Sequence, residues 1–196
     1  MMAGPNRSLS FTAACLCELA LLVLAAGWSG LFHRPALSDI QWNVRSAVLG
    51  IIAAIPPLLF FFWSLRSNLQ PFARHRDLLD SLLRPLFGQW SMLQLFTISA
   101  IAGIAEEAFF RGAIQGSLSE RVTMLVALVL ASALFGACHL LTWTYAIMAT
   151  CIGVYLGLLW SWTGNLLTPM ITHAAYDFAA LVYFLRIYRG NPLSGP

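Results

Sequence analysis

Six apolar runs dominate this chain, each close to the length a helix needs to cross a bilayer. They fall roughly at residues 9–32, 44–65, 91–114, 122–141, 143–162 and 166–187. At about 1.5 Å of rise per residue, about 20 residues in a helix span the hydrocarbon core. No water reaches backbone N–H and C=O groups there, so only helices and closed barrels can span it. The runs are continuously apolar and do not alternate. The expected fold is therefore all-α: a polytopic membrane protein of about six transmembrane helices. Composition agrees, since only 10% of residues are charged and 59% are hydrophobic. A soluble domain carries about 25% charged residues, so this chain lacks the polar surface that water would require.

The connections are informative in a different way. Pro56–Pro57 predicts a kink or break in the second run. The fourth and fifth runs are close enough to share a tight turn near Thr142. The first run exceeds the roughly 7–15 apolar residues of a signal peptide, so a retained anchor is expected. Glu18 within it should either face the bundle interior or lie near a wet edge. The one long polar connection, residues 67–90, spaces Arg74, Arg76, Asp77, Asp80 and Arg84 between Leu78, Leu79, Leu82 and Leu83. That pattern predicts an amphipathic helix lying in the interface, with His75 on its charged face and without a role.

All eleven basic residues are arginine, and the formal net charge is +3. They form no basic face, so nucleic acid is not an expected partner. Arg7, Arg66, Arg74, Arg76, Arg84, Arg186 and Arg189 fall on one side of the membrane, and Arg34, Arg45 and Arg121 on the other. The positive-inside rule places the larger group, the 67–90 connection and both termini in the cytoplasm. Cys15, Cys17, Cys138 and Cys151 lie in apolar runs, without disulfide or zinc spacing, and read as small apolar fillers. The chain divides into an N-terminal two-helix membrane region with its interfacial helix (1–90), a motif-bearing membrane core (91–188) and a short tail (189–196).

Few ionisable residues remain at membrane depth: Glu106, Glu107 and Arg111 in the third run, His139 in the fourth, His173 and Asp177 in the sixth. An intramembrane charge costs roughly 2.5–3.5 kcal/mol on insertion scales, so such groups face one another or a wet cavity. Glu107 and Arg111 stand four residues apart with the acid first, which predicts a structural ion pair. Glu106, about 100° further round the helix, is left without a partner in its own segment. His173 and Asp177 are likewise four apart, so the carboxylate can orient the imidazole. Phe135 and His139 share a helix face by the same spacing. Gly103, Gly112 and Gly136 near these positions permit close helix packing. A carboxylate, two imidazoles and a second acid can activate water and stabilise an oxyanion, or they can hold a divalent metal.

The three motifs, Glu106–Glu107–Ala–Phe–Phe–Arg111, Phe135–Gly–Ala–Cys–His139 and His173–Ala–Ala–Tyr–Asp177, resemble those of the CPBP family of intramembrane proteases. That family includes the type II CAAX prenyl endopeptidases and the bacterial Abi and bacteriocin-immunity proteins. Its pattern is Glu-Glu-x-x-x-Arg, Phe-x-x-x-His, then His-x-x-x-Asn or Asp, and the resemblance covers roughly residues 91–188. It implies hydrolysis of a peptide bond in a membrane-anchored or lipidated substrate. Glu106 would be the general base and His139 would position the water. His173 and Asp177 would serve the oxyanion, and Glu107, Arg111 and Phe135 would support the site.

An ionised Asp177 cannot donate a hydrogen bond as Asn would, so here it is expected to orient His173, which donates instead. No cofactor is required on this view. The alternative is a metal-dependent protease with zinc or another divalent ion on Glu106, His139 and His173, although His-Glu-x-x-His is absent. The expected location is a bacterial inner membrane. A non-catalytic binding or immunity protein, or a small transporter using the buried Glu and His residues, is the remaining alternative.

Overall fold

The computed structural model describes residues 7–188, which form helices and short turns with no strand among the described residues. The side chain of Arg7, Arg189 and the tail at 189–196 lie outside the described residues, and so do the expectations placed on them. Helix α1 spans Arg7–Phe32, α2 Val44–Ala53, α3 Ile55–Arg66, α4 Gln70–Phe87 and α5 Met92–Glu107. A π-helical segment, Ala108–Gln115, continues α5 into α6 (Gly116–Ser119). Then follow α7 (Met124–Cys138), α8 (Trp143–Thr163) and α9 (Leu167–Val182), the last ending in a π-helical turn, Tyr183–Ile187.

Among the described residues, four stretches are long and apolar enough to cross a membrane: Phe11–Phe32, Val44–Arg66, Met92–Ser119 and Trp143–Thr163. The fourth expected run is shorter, a 15-residue apolar helix at Met124–Cys138. The sixth is α9 with its π-helical end. Pro56 and Pro57 occupy the first turn of α3, where a missing N–H is harmless, and the second span breaks at Ala54. The turn between α7 and α8 covers His139–Thr142, and the Thr142 hydroxyl caps α8 by accepting from Tyr145 N at 3.1 Å.

Leu16, Val23, Ile51, Leu59, Phe96 and Leu125 are exposed on the outer faces, as lipid-facing side chains are. Polar contacts concentrate at the two ends of the bundle. At one end Arg34 pairs with Asp39 (2.7 Å) and Glu120 (3.0 Å). At the other, Arg186 donates to the Gly88 and Trp90 carbonyls (2.7 and 2.5 Å). There too Arg84 pairs with Asp80 (2.5 Å) and reaches the Tyr188 carbonyl at 2.8 Å. These bonds hold α4 against the ends of α5 and α9.

The site depends on two close packings. Helices α5 and α9 run antiparallel, with Leu95 and Ile98 beside Ala180 and Phe184, and Ala108 beside Leu166 and Met170. Gly103 allows this: a Cβ there would lie 2.7 Å from the Met170 carbonyl and 2.9 Å from Ala174. At Gly136 a Cβ would run into the Thr150 hydroxyl and the Ala146 carbonyl, so α7 and α8 also meet backbone to side chain. The first contact brings His173 to Glu107, and the second sets His139 beside the start of α8.

Candidate active site

Helix α5 ends on the two glutamates, and the backbone widens to π-helix at the next residue. Such segments recur at functional sites because they re-aim side chains without ending the helix. Arg34 Nη1 donates to the Gly112 carbonyl within this segment at 3.0 Å. Arg111 sits in its middle, 1% exposed, with Nη1 donating to Glu107 Oε1 and Nη2 to the Gly153 carbonyl of α8, at 2.8 and 2.9 Å. Its guanidinium carbon lies 4.6 Å from the centre of the Phe135 ring. One arginine therefore ties together α5, α7 and α8.

Glu107 has two partners. The oxygen that accepts from Arg111 is also 2.8 Å from Nδ1 of His173. The sequence suggested that Asp177 would orient this imidazole. In the structure the nearer partner is Glu107, and Asp177 Oδ2 lies on the opposite edge of the ring, 3.4 Å from Nε2. Glu106 Oε2 is 4.0 Å from the same Nε2 and has no hydrogen-bond partner, although it is buried. His173 thus stands between one carboxylate at Nδ1 and two at Nε2.

His139 follows the last residue of α7. Its Nδ1 lies 2.7 Å from the Phe135 carbonyl, which can only accept, so this nitrogen carries a proton, and in the neutral imidazole Nε2 holds the lone pair. Phe135 fills the centre of the cluster. Its ring is 4.6 Å from His139, 5.0 Å from Phe110 and 6.1 Å from His173. Glu106, His139, His173 and Asp177 together line a cavity of about 200 Å³, whose remaining walls include Phe61, Leu79, Leu83, Met148 and Phe184. A second cavity of about 230 Å³ shares Glu106, His139 and Asp177 and is lined by Glu18, Ser99 and Ala102 on its far side.

Three further residues belong to this neighbourhood. Glu18, set down from sequence as either interior or edge, is interior: it lines the second cavity, with Oε2 buried and unpaired. Tyr145 of α8 borders both cavities, and only the tight α7–α8 turn hinted at it. His75 is a correction. It is not on the charged face of α4 but 3% exposed and part of the first cavity's wall. Helical position places it close to the leucine stripe, and that was the available signal. Cys138 is exposed and free.

Among the described residues, no group of three or more His, Cys, Asp or Glu is arranged to hold a metal ion. His139 Nδ1 is engaged by the Phe135 carbonyl and His173 Nδ1 by Glu107, which leaves Nε2 as the remaining ring nitrogen of each.

Residues 88–179 match the family described as type II CAAX prenyl endopeptidase Rce1-like. The match contains all three motifs. Over 183 residues the chain is 27% identical to the "Uncharacterized protein YpbD" of Bacillus subtilis (strain 168), covering 86% of this chain and 88% of that protein. No solved structure matches the chain.

Proposed function

We propose that this chain, which over residues 88–179 is similar to the type II CAAX prenyl endopeptidases, is an intramembrane endopeptidase that hydrolyses a peptide bond with a Glu106-activated water. The observation that carries this reading is the buried, unpaired Oε2 of Glu106, which faces a cavity shared with His139, His173 and Asp177. A carboxylate without a protein partner, beside space for water and two imidazoles, is an arrangement suited to a general base.

The steps follow from the geometry. A water in the cavity is oriented by the lone pair on His139 Nε2 and loses a proton to Glu106 as its oxygen attacks the carbonyl carbon. The carbonyl π electrons move to oxygen, giving a tetrahedral oxyanion. His173, protonated on both nitrogens, donates from Nδ1 to Glu107 and from Nε2 into the cavity, where it stabilises that charge. Asp177 holds the ring from the Nε2 side. When the C–N bond breaks, Glu106 returns its proton to the departing amine.

The cavity's apolar walls suit a hydrophobic side chain or lipid-modified residue next to the scissile bond. The family name points to a prenylated tail, and a membrane-anchored peptide or sorting-tail protein fits the same walls. Helix α4, at the arginine-rich end that the positive-inside rule assigns to the cytoplasm, borders the cavity through His75, Leu79 and Leu83. The proposed location is a bacterial inner membrane. The test is cleavage of a panel of membrane-anchored and lipidated quenched peptides by purified protein. Wild type should cleave at least one of them, and a protein that cleaves none contradicts the reading.

A further inference from the structure

His75 is the most enclosed residue of α4, 3% exposed on a helix otherwise half-buried or exposed. Its ring stacks on Tyr145 with centroids 5.3 Å apart and planes at 25°, and Tyr145 meets His139 edge-on at 5.6 Å. Its Nδ1 is buried and has no hydrogen-bond partner. Packing alone does not account for a histidine here. A phenylalanine would stack on Tyr145 equally well and leave no buried nitrogen unsatisfied, and an unsatisfied buried polar atom is unfavourable.

His75 also lines the cavity that holds Glu106, His139 and His173, where a bound chain would offer polar groups within reach of its ring. Helix α4 is anchored over that cavity: Arg76 donates to the Leu65 and Ser67 carbonyls (3.1 and 2.5 Å) and Arg84 to the Tyr188 carbonyl (2.8 Å). The ring is therefore held in place before any ligand arrives. Burial pushes the His75 imidazole below the usual histidine value, so it is neutral near pH 7. A neutral imidazole offers one donor and one acceptor, and its natural complement is a peptide group, which offers the same pair. The two ring contacts linking His75 to His139 place it within about three residues of extended chain from the reacting centre.

We propose that His75 is a substrate-binding residue, whose ring hydrogen-bonds a peptide group of the bound chain within about three residues of the scissile bond, so that α4 forms one wall of the substrate groove. This rests on the protease reading above. It assigns a binding role to a helix that lies outside the family-matched segment.

The experiment uses full-length protein in nanodiscs. Fluorescein-labelled forms of the peptide panel are titrated into Glu106→Gln protein, with and without His75→Ala or His75→Phe. Matched peptides carry a backbone ester in place of one amide at a time, away from the scissile bond. Both His75 variants should weaken binding about 3–10-fold, the range of one net hydrogen bond, and Phe tests this with the Tyr145 stack retained. One ester position should weaken binding to Glu106→Gln protein by a similar factor and have no effect once His75 is replaced. In the wild-type background His75→Phe should raise KM with kcat little changed. Arg74→Ala, on the exposed face of α4, should change neither. Normal binding and KM in His75→Phe, ester effects that persist without His75, or no peptide bound at all would each overturn the assignment. Wild type that cleaves nothing, while Glu106→Gln protein still binds peptide through His75, would instead remove the protease reading and leave this subsite standing.

Discussion

Nδ1 of His173 and Oε1 of Glu107 are 2.8 Å apart, and the same oxygen accepts from Arg111 Nη1 at 2.8 Å. A single carboxylate oxygen therefore couples the helix brace to the imidazole. Glu107→Gln should lower kcat about 10-fold or more by loosening the His173 orientation, an effect of the size expected when a partner that fixes a functional histidine is lost. Steady-state kinetics on the peptide panel check this, with thermal unfolding to show that the variant is folded.

Arg111 and Glu107 are 1% and 0% exposed as side chains. Removing one member of a buried pair typically costs about 3–5 kcal/mol, while removing both together costs much less. Arg111→Leu should therefore destabilise the protein more than the double variant Arg111→Leu with Glu107→Gln. A double-mutant cycle on unfolding midpoints measures the coupling.

Asp177 faces His173 Nε2 at 3.4 Å and is partly exposed to the cavity. Either a carboxylate or a carboxamide can hold that edge of the ring, so Asp177→Asn should keep cleavage within about 10-fold of wild type. Asp177→Ala should lose about 10–100-fold in kcat, the size expected when a partner that orients a functional histidine is removed. Equal losses in the two variants would count against the assigned role.

Gly103 presses against the Met170 carbonyl, and that contact sets the α5–α9 register. Gly103→Ala forces backbone apart, and overpacking of this kind costs about 1–3 kcal/mol. The expected result is a lower melting temperature together with impaired cleavage, because Glu107 and His173 separate with the helices.

His75 is buried and its value is lowered by burial alone. At a pH below the ordinary histidine value of about 6.5, the unfolded chain takes up a proton that the folded ring does not. Stability from this group is thus complete above that pH and falls as the pH drops through it. The melting temperature of wild type should decline between about pH 7 and pH 5 more steeply than that of His75→Phe, measured in the same micelles.

Much of the site was legible in the sequence because charge at membrane depth is rare, so six residues stood out against the apolar runs. The Glu107–Arg111 pair followed from helical spacing, and the break at Pro56–Pro57 from proline's missing N–H. The Glu107–His173 bond was not legible: it joins residues far apart in sequence, and only the Gly103 packing brings them together. Local spacing favoured Asp177 as the orienting acid, and tertiary packing supplied a nearer one. The π-helical segment carries no composition of its own. His75 was lost in a run of charges, where its neighbours Arg74 and Arg76 suggested a solvated face that its helical angle does not share.

The account centres on Glu106 as the base that activates water. Its most direct test compares cleavage by wild type and Glu106→Gln, each with and without a chelator, using the best-cleaved peptide of the panel. The prediction is loss of about 10³-fold in kcat for Glu106→Gln, within the 10²–10⁴-fold of general-base catalysis, and no effect of chelator on wild type. Cleavage by Glu106→Gln at the wild-type rate would contradict the account, and loss of wild-type activity on chelation would transfer the chemistry to a metal.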